Sequence, residues 1–236
     1  MFRELDISKI SDEIHLLSLR IQDRFPSASL LNVCRELNKL ANKGRNTLYE
    51  YSKPYLYYRI LSYLFFIVAF LSVVAAVANF IHALFFNFSN HNIRLSQSES
   101  IQSVEALLNI IVMVVAGVFF LFKIEGRSKQ KKILKSLQEL RTIIHIIDMH
   151  QLTKDPEILL QEKTTHSPSR TLTKKELNRY LNYCIEMLSL TSKVAAAHGK
   201  NINDQLVLEE IHNIETLASL LSNKIWQKIN INNLNV

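Results

Sequence analysis

Two long apolar runs, residues 60–86 and 106–122, dominate the hydrophobic pattern of this chain. The first run holds 27 residues without a formal charge, and the second holds 17. A helix rises about 1.5 Å per residue, so the first run is longer than a hydrocarbon core about 30 Å thick requires. The pattern therefore predicts a transmembrane hairpin, with a short polar loop between its two helices.

Outside these runs, apolar residues recur every three or four positions, the spacing of one face of an α-helix. Two such stripes precede the first run, and Pro26 separates them. After the second run, Thr173 and Glu176 form a capping-box pattern that opens a helix, and Gly199 ends it before a return helix. No stretch alternates polar and apolar residues over strand length. The chain is therefore predicted to be all-α, with a cytoplasmic helical bundle beside the hairpin.

The helix that leaves the second run contains no proline before Gln151, so it is predicted to continue unbroken. Its main apolar positions follow the spacing of a coiled coil: Ile133, Leu137, Leu140, Ile144 and Ile147. Leu134, Ile143 and Ile146 widen the stripe. A stripe this wide predicts more than one neighbouring helix, as in a homo-oligomeric bundle, and four hairpins would give a homotetramer.

Basic residues flank both runs and set the predicted orientation. The net charge is +3 from Lys43 to Arg59 and +5 from Lys123 to Lys135, whereas residues 87–105 carry −1. Because positive flanks stay on the cytoplasmic side, both termini are predicted to face the cytoplasm of a bacterial inner membrane. The flanks account for the whole net charge of +7. They are predicted to contact anionic membrane lipids, and the rest of the chain is close to neutral.

Five segments follow from these patterns. Residues 1–55 are predicted to hold two N-terminal cytoplasmic helices, and residues 56–122 the transmembrane hairpin. Residues 123–163 hold the long post-membrane helix and a short helix, residues 164–173 (TTHSPSRTLT) a linker, and residues 174–230 a C-terminal helical hairpin.

Three polar residues interrupt the first apolar run: Ser72, Asn79 and His82. Polar groups at membrane depth are costly unless they meet one another or water. One interpretation places the three side chains along a pore in an oligomer. The other is that they form hydrogen bonds between helices, or that His82 lies at the outer interface.

The most unusual polar stretch outside the runs is ELRTIIHIIDMHQLTKDPE, from Glu139 to Glu157. It allows three interpretations: a structural contact between His145 and Asp148, a metal site completed from another helix, or a sensor of a phosphate-bearing messenger. The candidate sensing residues are Arg141, His145, Asp148, His150 and Lys154. No metal ligand is assigned.

No motif for catalysis is present. The sequence has no Walker loop, no G-x-G-x-x-G, no nucleophile elbow and no H-E-x-x-H. We therefore predict neither enzymatic activity nor a cofactor. Cys34 and Cys184 lack the spacing of metal ligands and are predicted to be reduced, half-buried thiols.

In architecture the chain resembles the two-transmembrane effectors of bacterial anti-phage defence, of the SLATT-like type. The stretch from Glu139 to Glu157 is also similar to effector subunits of the Hailong type. The resemblance implies a partner nucleotidyltransferase that makes a nucleotide or oligonucleotide messenger, and it implies no particular binding residue.

These patterns lead to two functional hypotheses. The first is a homo-oligomeric, ligand-gated channel or pore that depolarises the membrane and arrests growth in abortive infection. The second is a membrane-anchored helical scaffold that recruits a cytoplasmic partner. Leucine at both Asn79 and His82 would leave a scaffold intact but would impair a channel.

Overall fold

The structure, a computed structural model, describes residues 5–52, 56–89, 97–152, 154, 172–200 and 202–234. Over these residues it contains six helices and no strand: α1 (Ile7–Arg24), α2 (Ser29–Ser52), α3 (Leu56–Ser89), α4 (Gln97–Leu152), α5 (Lys174–His198) and α6 (Gln205–Leu234). The prediction of an all-helical chain is confirmed for this part of the protein. The predicted short helix before residue 163, and most of the predicted linker, lie outside the described residues.

The helix ends follow the local signals in the sequence. Helix α1 ends at Arg24, directly before Phe25 and Pro26. Helix α5 opens with the predicted capping box, in which the Thr173 hydroxyl accepts from the Glu176 amide and the Glu176 carboxylate accepts from the Thr173 amide. Helix α4 is a single helix of 56 residues, as the absence of proline predicts.

The chain forms two compact units. The first comprises residues 1–52 and 130–236, and the second comprises residues 53–129. In the first unit α1 packs against α2 and α5 packs against α6, while α5 also contacts α1 and α2. The N-terminal helices, the last part of α4 and the C-terminal hairpin therefore build one core.

The wide apolar stripe of α4 belongs to this core. Ile133, Leu137, Leu140, Ile144 and Ile147 are each at most 1% exposed. They join one hydrophobic cluster with residues of the four other helices of the unit. The stripe that predicted contacts with other copies is thus covered within a single chain, and no oligomeric state follows from it.

The second unit contains α3 and the first part of α4, and both helices expose large apolar side chains. On α3 they include Leu56, Tyr57, Tyr63, Phe70 and Leu71, and on α4 they include Val112, Met113, Val115, Phe119 and Phe120. The Phe65 ring lies against Gly117, where a Cβ atom would collide with it.

The predicted transmembrane hairpin is not borne out. To cross a hydrocarbon core, a helix needs about 20 consecutive, mostly apolar residues. Among the helices as far as they are described, none is both long enough and apolar enough for that. The prediction of two spans at residues 60–86 and 106–122 is therefore wrong, and so is the inner-membrane localisation inferred from it.

A buried histidine joins three helices of the first unit. His198, at the end of α5, is fully buried. Its Nδ1 donates to the Val194 carbonyl at 2.8 Å, so in the neutral ring Nε2 accepts from the Ser136 hydroxyl of α4 at 3.1 Å. On α2, a Cβ atom at Gly44 would lie 2.6 Å from the ring. A side chain larger than hydrogen at position 44 therefore requires His198 to move.

We expect Gly44→Ala to lower the free energy of unfolding by about 1–3 kcal/mol, the usual cost of overpacking a well-filled core. Two hydrogen bonds hold the ring, so it cannot swing away without losing them. Urea unfolding followed by circular dichroism measures the change.

Gly126→Ala is the matched control, because Gly126 is also helical but has no atom within 4 Å of the added Cβ. This variant should match the wild type or gain up to about 1 kcal/mol, since alanine is the better helix former. Equal effects of the two substitutions would contradict the packing at Gly44.

The same ring makes stability depend on pH. Burial lowers the pKa of His198 below its ordinary value of 6.5, although the hydrogen bond to Val194 opposes the shift. The unfolded chain therefore takes up the proton more readily than the folded one. The free energy of unfolding should be fully retained above the unfolded pKa and fall as the pH decreases below it.

The test compares wild type and His198→Gln in urea at about pH 7.5 and about pH 5.5, on either side of the ordinary histidine pKa. The wild type should lose more stability at the lower pH than the variant does. The lowered pKa of His150 acts in the same direction in both proteins. An identical pH dependence would show that His198 is not the responsible group.

Candidate functional site

Two of the predicted sensing residues contact α6. Arg141 donates from Nη1 to Glu210 Oε1 at 3.3 Å, and Lys224 Nζ lies 4.0 Å from Asp148 Oδ1. Asp148 also accepts from Gln151 Nε2 at 2.6 Å. Both residues are thus engaged in contacts that hold α4 against α6.

Among the described contacts, no hydrogen bond or ion pair joins His145 to Asp148. The His145 side chain is exposed, and the described hydrogen bond and ion pair of Asp148 go to Gln151 and Lys224 instead. The structural contact that the one-turn spacing suggested is therefore replaced by contacts to other residues.

The other two sensing candidates, His150 and Lys154, line one cavity of about 470 Å³. We name it the α1–α2 corner cavity. It is formed by the end of α1, the start of α2, the end of α4 and the start of α5. Its lining residues are Arg24, Phe25, Pro26, Ser27, Ala28, Ser29, His150, Lys154, Leu172, Glu176 and Tyr180.

His150 connects the end of α4 to the start of α2. Its Nδ1 lies 3.2 Å from the Ser29 hydroxyl. Partial burial lowers the pKa of His150, and the nearby Lys154 charge lowers it further. The ring is therefore neutral at neutral pH, and an anion beside it would favour the protonated form.

Aromatic rings form the floor of the cavity. Tyr180 is only 4% exposed, and Phe25 packs edge-on against it with ring centroids 5.8 Å apart. The Lys154 ammonium group lies 5.8 Å from the Tyr180 ring centroid, within the range of a cation–π contact. This contact directs the Lys154 charge towards the cavity wall.

Glu176 is the one carboxylate among the described residues of the lining, and it is already engaged. It caps α5 through the Thr173 amide and hydroxyl, both at 2.7 Å. These hydrogen bonds lower the pKa of Glu176, and the charge of Arg24 adds to the effect. The lining thus combines Arg24, Lys154 and a protonatable imidazole with a carboxylate whose oxygen is committed to a helix cap. Such a donor set suits an anion with several oxygens.

Sequence reasoning missed Arg24, although it lines the same cavity as His150 and Lys154. It is 126 residues before His150, and no local pattern links the two. The available signal was Pro26, which ends α1 and places its last basic residue at a corner.

The predicted pore-lining set is only partly described. The Ser72 hydroxyl donates to the Ala69 carbonyl of its own helix at 2.8 Å, and His82 is exposed. The Asn79 side chain lies outside the described residues. A role of these residues along a pore stays a prediction.

Metal and thiol chemistry find little support in the described part of the chain. No group of three His, Cys, Asp or Glu side chains there is arranged to hold a metal ion. Cys34 and Cys184 are both fully buried, and burial raises the pKa of each thiol to about 12. They were predicted to be half-buried, and they are instead unreactive thiols of the core.

Comparisons with protein-family models, with curated proteins and with solved structures find no match to this chain. The fold and the cavity therefore define an all-helical protein with a basic, solvent-accessible cavity at a helix corner, and its function is argued from that site alone.

Proposed function

We propose that this protein is a ligand-sensing helical protein that binds a phosphate-bearing anion in the α1–α2 corner cavity. The observation that carries the proposal is that Arg24, which is distant in the sequence, lines one cavity with His150 and Lys154. The volume of about 470 Å³ is within the range of small-molecule sites. A nucleotide-type messenger, which the resemblance to defence effectors implies, has the required chemistry.

The three basic groups have different roles in this proposal. Arg24 offers a planar fork that pairs with two phosphate oxygens, and Lys154 offers a point charge. His150 is neutral in the free protein and gains a proton when phosphate binds, because the anion stabilises the imidazolium. Binding should therefore tighten as the pH falls towards the ordinary histidine pKa.

The cavity also connects the ligand to the fold. Its lining comes from the ends of four helices, and Ser29 at the start of α2 contacts His150 near the end of α4. A ligand that draws Arg24 and Lys154 together would bring the end of α1 closer to the end of α4. That change is the proposed signal to a partner.

We expect Arg24→Gln and Lys154→Gln each to weaken ATP binding about tenfold, which corresponds to about 1.4 kcal/mol for one charge-assisted contact. Isothermal titration calorimetry measures the affinity. Nuclear magnetic resonance titration of His150 measures its pKa, which should rise when ATP is bound.

Lys39→Gln is the control, because Lys39 lies on α2 outside the cavity and pairs with Glu36 on its own helix. It should bind ATP as the wild type does. If all three variants bind alike, or the pKa of His150 does not change with ATP, the proposal is wrong.

A second candidate function is a scaffold that assembles from copies of this chain. On α3 the exposed residues Tyr63, Leu64, Phe66, Ile67 and Val68 follow one another closely. Successive helical residues are about 100° apart, so these side chains cover about 200° of the helix circumference. Covering them would gain about 25 cal/mol per Å² and requires neighbours on several sides, which several copies of two apolar helices supply.

Analytical ultracentrifugation of the full chain tests this candidate. We expect oligomers that Ile67→Glu with Phe70→Glu weakens, because charges oppose burial of this surface. Leu16→Glu with Leu19→Glu, on exposed positions of α1, should have no such effect. A monomer in detergent-free buffer would exclude self-assembly. If the protein needs detergent to stay in solution, one copy per micelle would exclude it as well.

A further inference from the structure

A second cavity of about 480 Å³ lies at the opposite end of α1. We name it the α1 start cavity. It is formed by the start of α1, the last part of α2 and the end of α5. Its lining residues are Leu5, Asp6, Ile7, Lys9, Arg45, Leu48, Ala197 and Lys200. It shares no lining residue with the α1–α2 corner cavity.

Among the residues that the structure describes, three cations and one carboxylate line this second cavity. The carboxylate, Asp6, caps α1, because its Oδ1 accepts from the Ser8 amide at 2.9 Å. Lys9, Arg45 and Lys200 come from three different segments of the chain. The excess of positive charge is therefore created by the fold and not by a run of basic residues.

Several other basic side chains of this unit pair with acids from another helix. Arg20 lies 3.1 Å from Glu186, and Lys43 lies 2.8 Å from Glu139. Lys43 is only two residues before Arg45, and its partner Glu139 shows that an acid lies near this surface. Over the described residues, Lys9 and Arg45 form no ion pair. Two like charges, Lys9 and Arg45, that lie at one cavity without an ion pair attract an anion from solution.

The backbone around the α1 start cavity is held by the buried contact at His198. Arg45 follows Gly44, and Ala197 precedes His198, whose ring is held by Ser136 and Val194. The backbone on two sides of the cavity is therefore anchored to one buried contact. The anchored backbone keeps the exposed side chains of Arg45 and Lys200 at the same cavity.

We propose that the α1 start cavity binds a phosphate or polyphosphate group through Lys9, Arg45 and Lys200, as an anion site separate from the α1–α2 corner cavity. Lys9 and Arg24 are 15 residues apart on α1, which corresponds to about 22 Å along a helix. A small phosphate ligand cannot contact both cavities, so the protein should have two independent sites.

Titration with inorganic tripolyphosphate, by calorimetry and by amide nuclear magnetic resonance, tests the inference on three double variants. Lys9→Gln with Arg45→Gln removes two charges from the α1 start cavity. Arg24→Gln with Lys154→Gln removes two from the corner cavity. Lys39→Gln with Lys193→Gln removes two exposed charges from neither cavity and serves as the control.

We expect two sites in the wild type and in the control. The Lys9 and Arg45 variant should lose one site, with affinity about tenfold weaker or more, and should no longer show ligand-dependent changes at the Gly44 and His198 amides. The Arg24 and Lys154 variant should keep those changes.

The second site is overturned if tripolyphosphate shifts the Gly44 and His198 amide signals as much in the Lys9 and Arg45 variant as in the wild type. An equal loss in the control would overturn it as well, because the effect would then be general charge attraction. Failure of the corner cavity appears separately, as unchanged binding in the Arg24 and Lys154 variant.

Discussion

The buried contact at His198 is the constraint on which the first unit depends. It brings α2, α4 and α5 together at one point, through the missing side chain of Gly44 and the hydroxyl of Ser136. The ring fits tightly against Gly44, and its nitrogens are hydrogen-bonded. A methyl group added at position 44 or a proton added to His198 therefore lowers the stability of the fold. Apolar side chains alone would allow these helices to slide, whereas a ring with two directional hydrogen bonds fixes their register.

The two cavities follow from the way these helices end. Long helices pack along their lengths, and their ends leave corners that apolar side chains do not fill. At one corner α1 stops before Pro26 and α2 starts at Ser29, and at the other α5 stops at His198. Basic side chains at such corners can point into solvent-filled space while the helices behind them stay packed. The cavities therefore combine mobile charges with rigid walls.

The sequence predicted the helices of the first unit well, because their apolar residues repeat at helical spacing and their ends carry clear signals such as Thr173 and Glu176. It failed where the same pattern has more than one physical meaning. A wide stripe on α4 predicts several neighbours, but it does not say whether they belong to the same chain. Two long apolar runs predicted two membrane spans, which the described helices do not support. The candidate site was found in part, since His150 and Lys154 line the cavity, but proximity in sequence also selected Arg141 and Asp148, which contact α6.

The positions of the charges in the fold show most clearly what a count of charges along the sequence leaves out. Outside the two basic flanks the sequence is nearly neutral, so its net charge does not show where single charges are concentrated. In the fold, Glu186, Glu139 and Glu210 pair with Arg20, Lys43 and Arg141, so these acids neutralise particular cations. The cations at the two cavities lie beside carboxylates that cap helices instead. A neutral sum therefore conceals a separation of charge, because each acid can neutralise only the cation that the fold places beside it. Potential at a surface depends on that separation, and it is the basis of the two proposed anion sites.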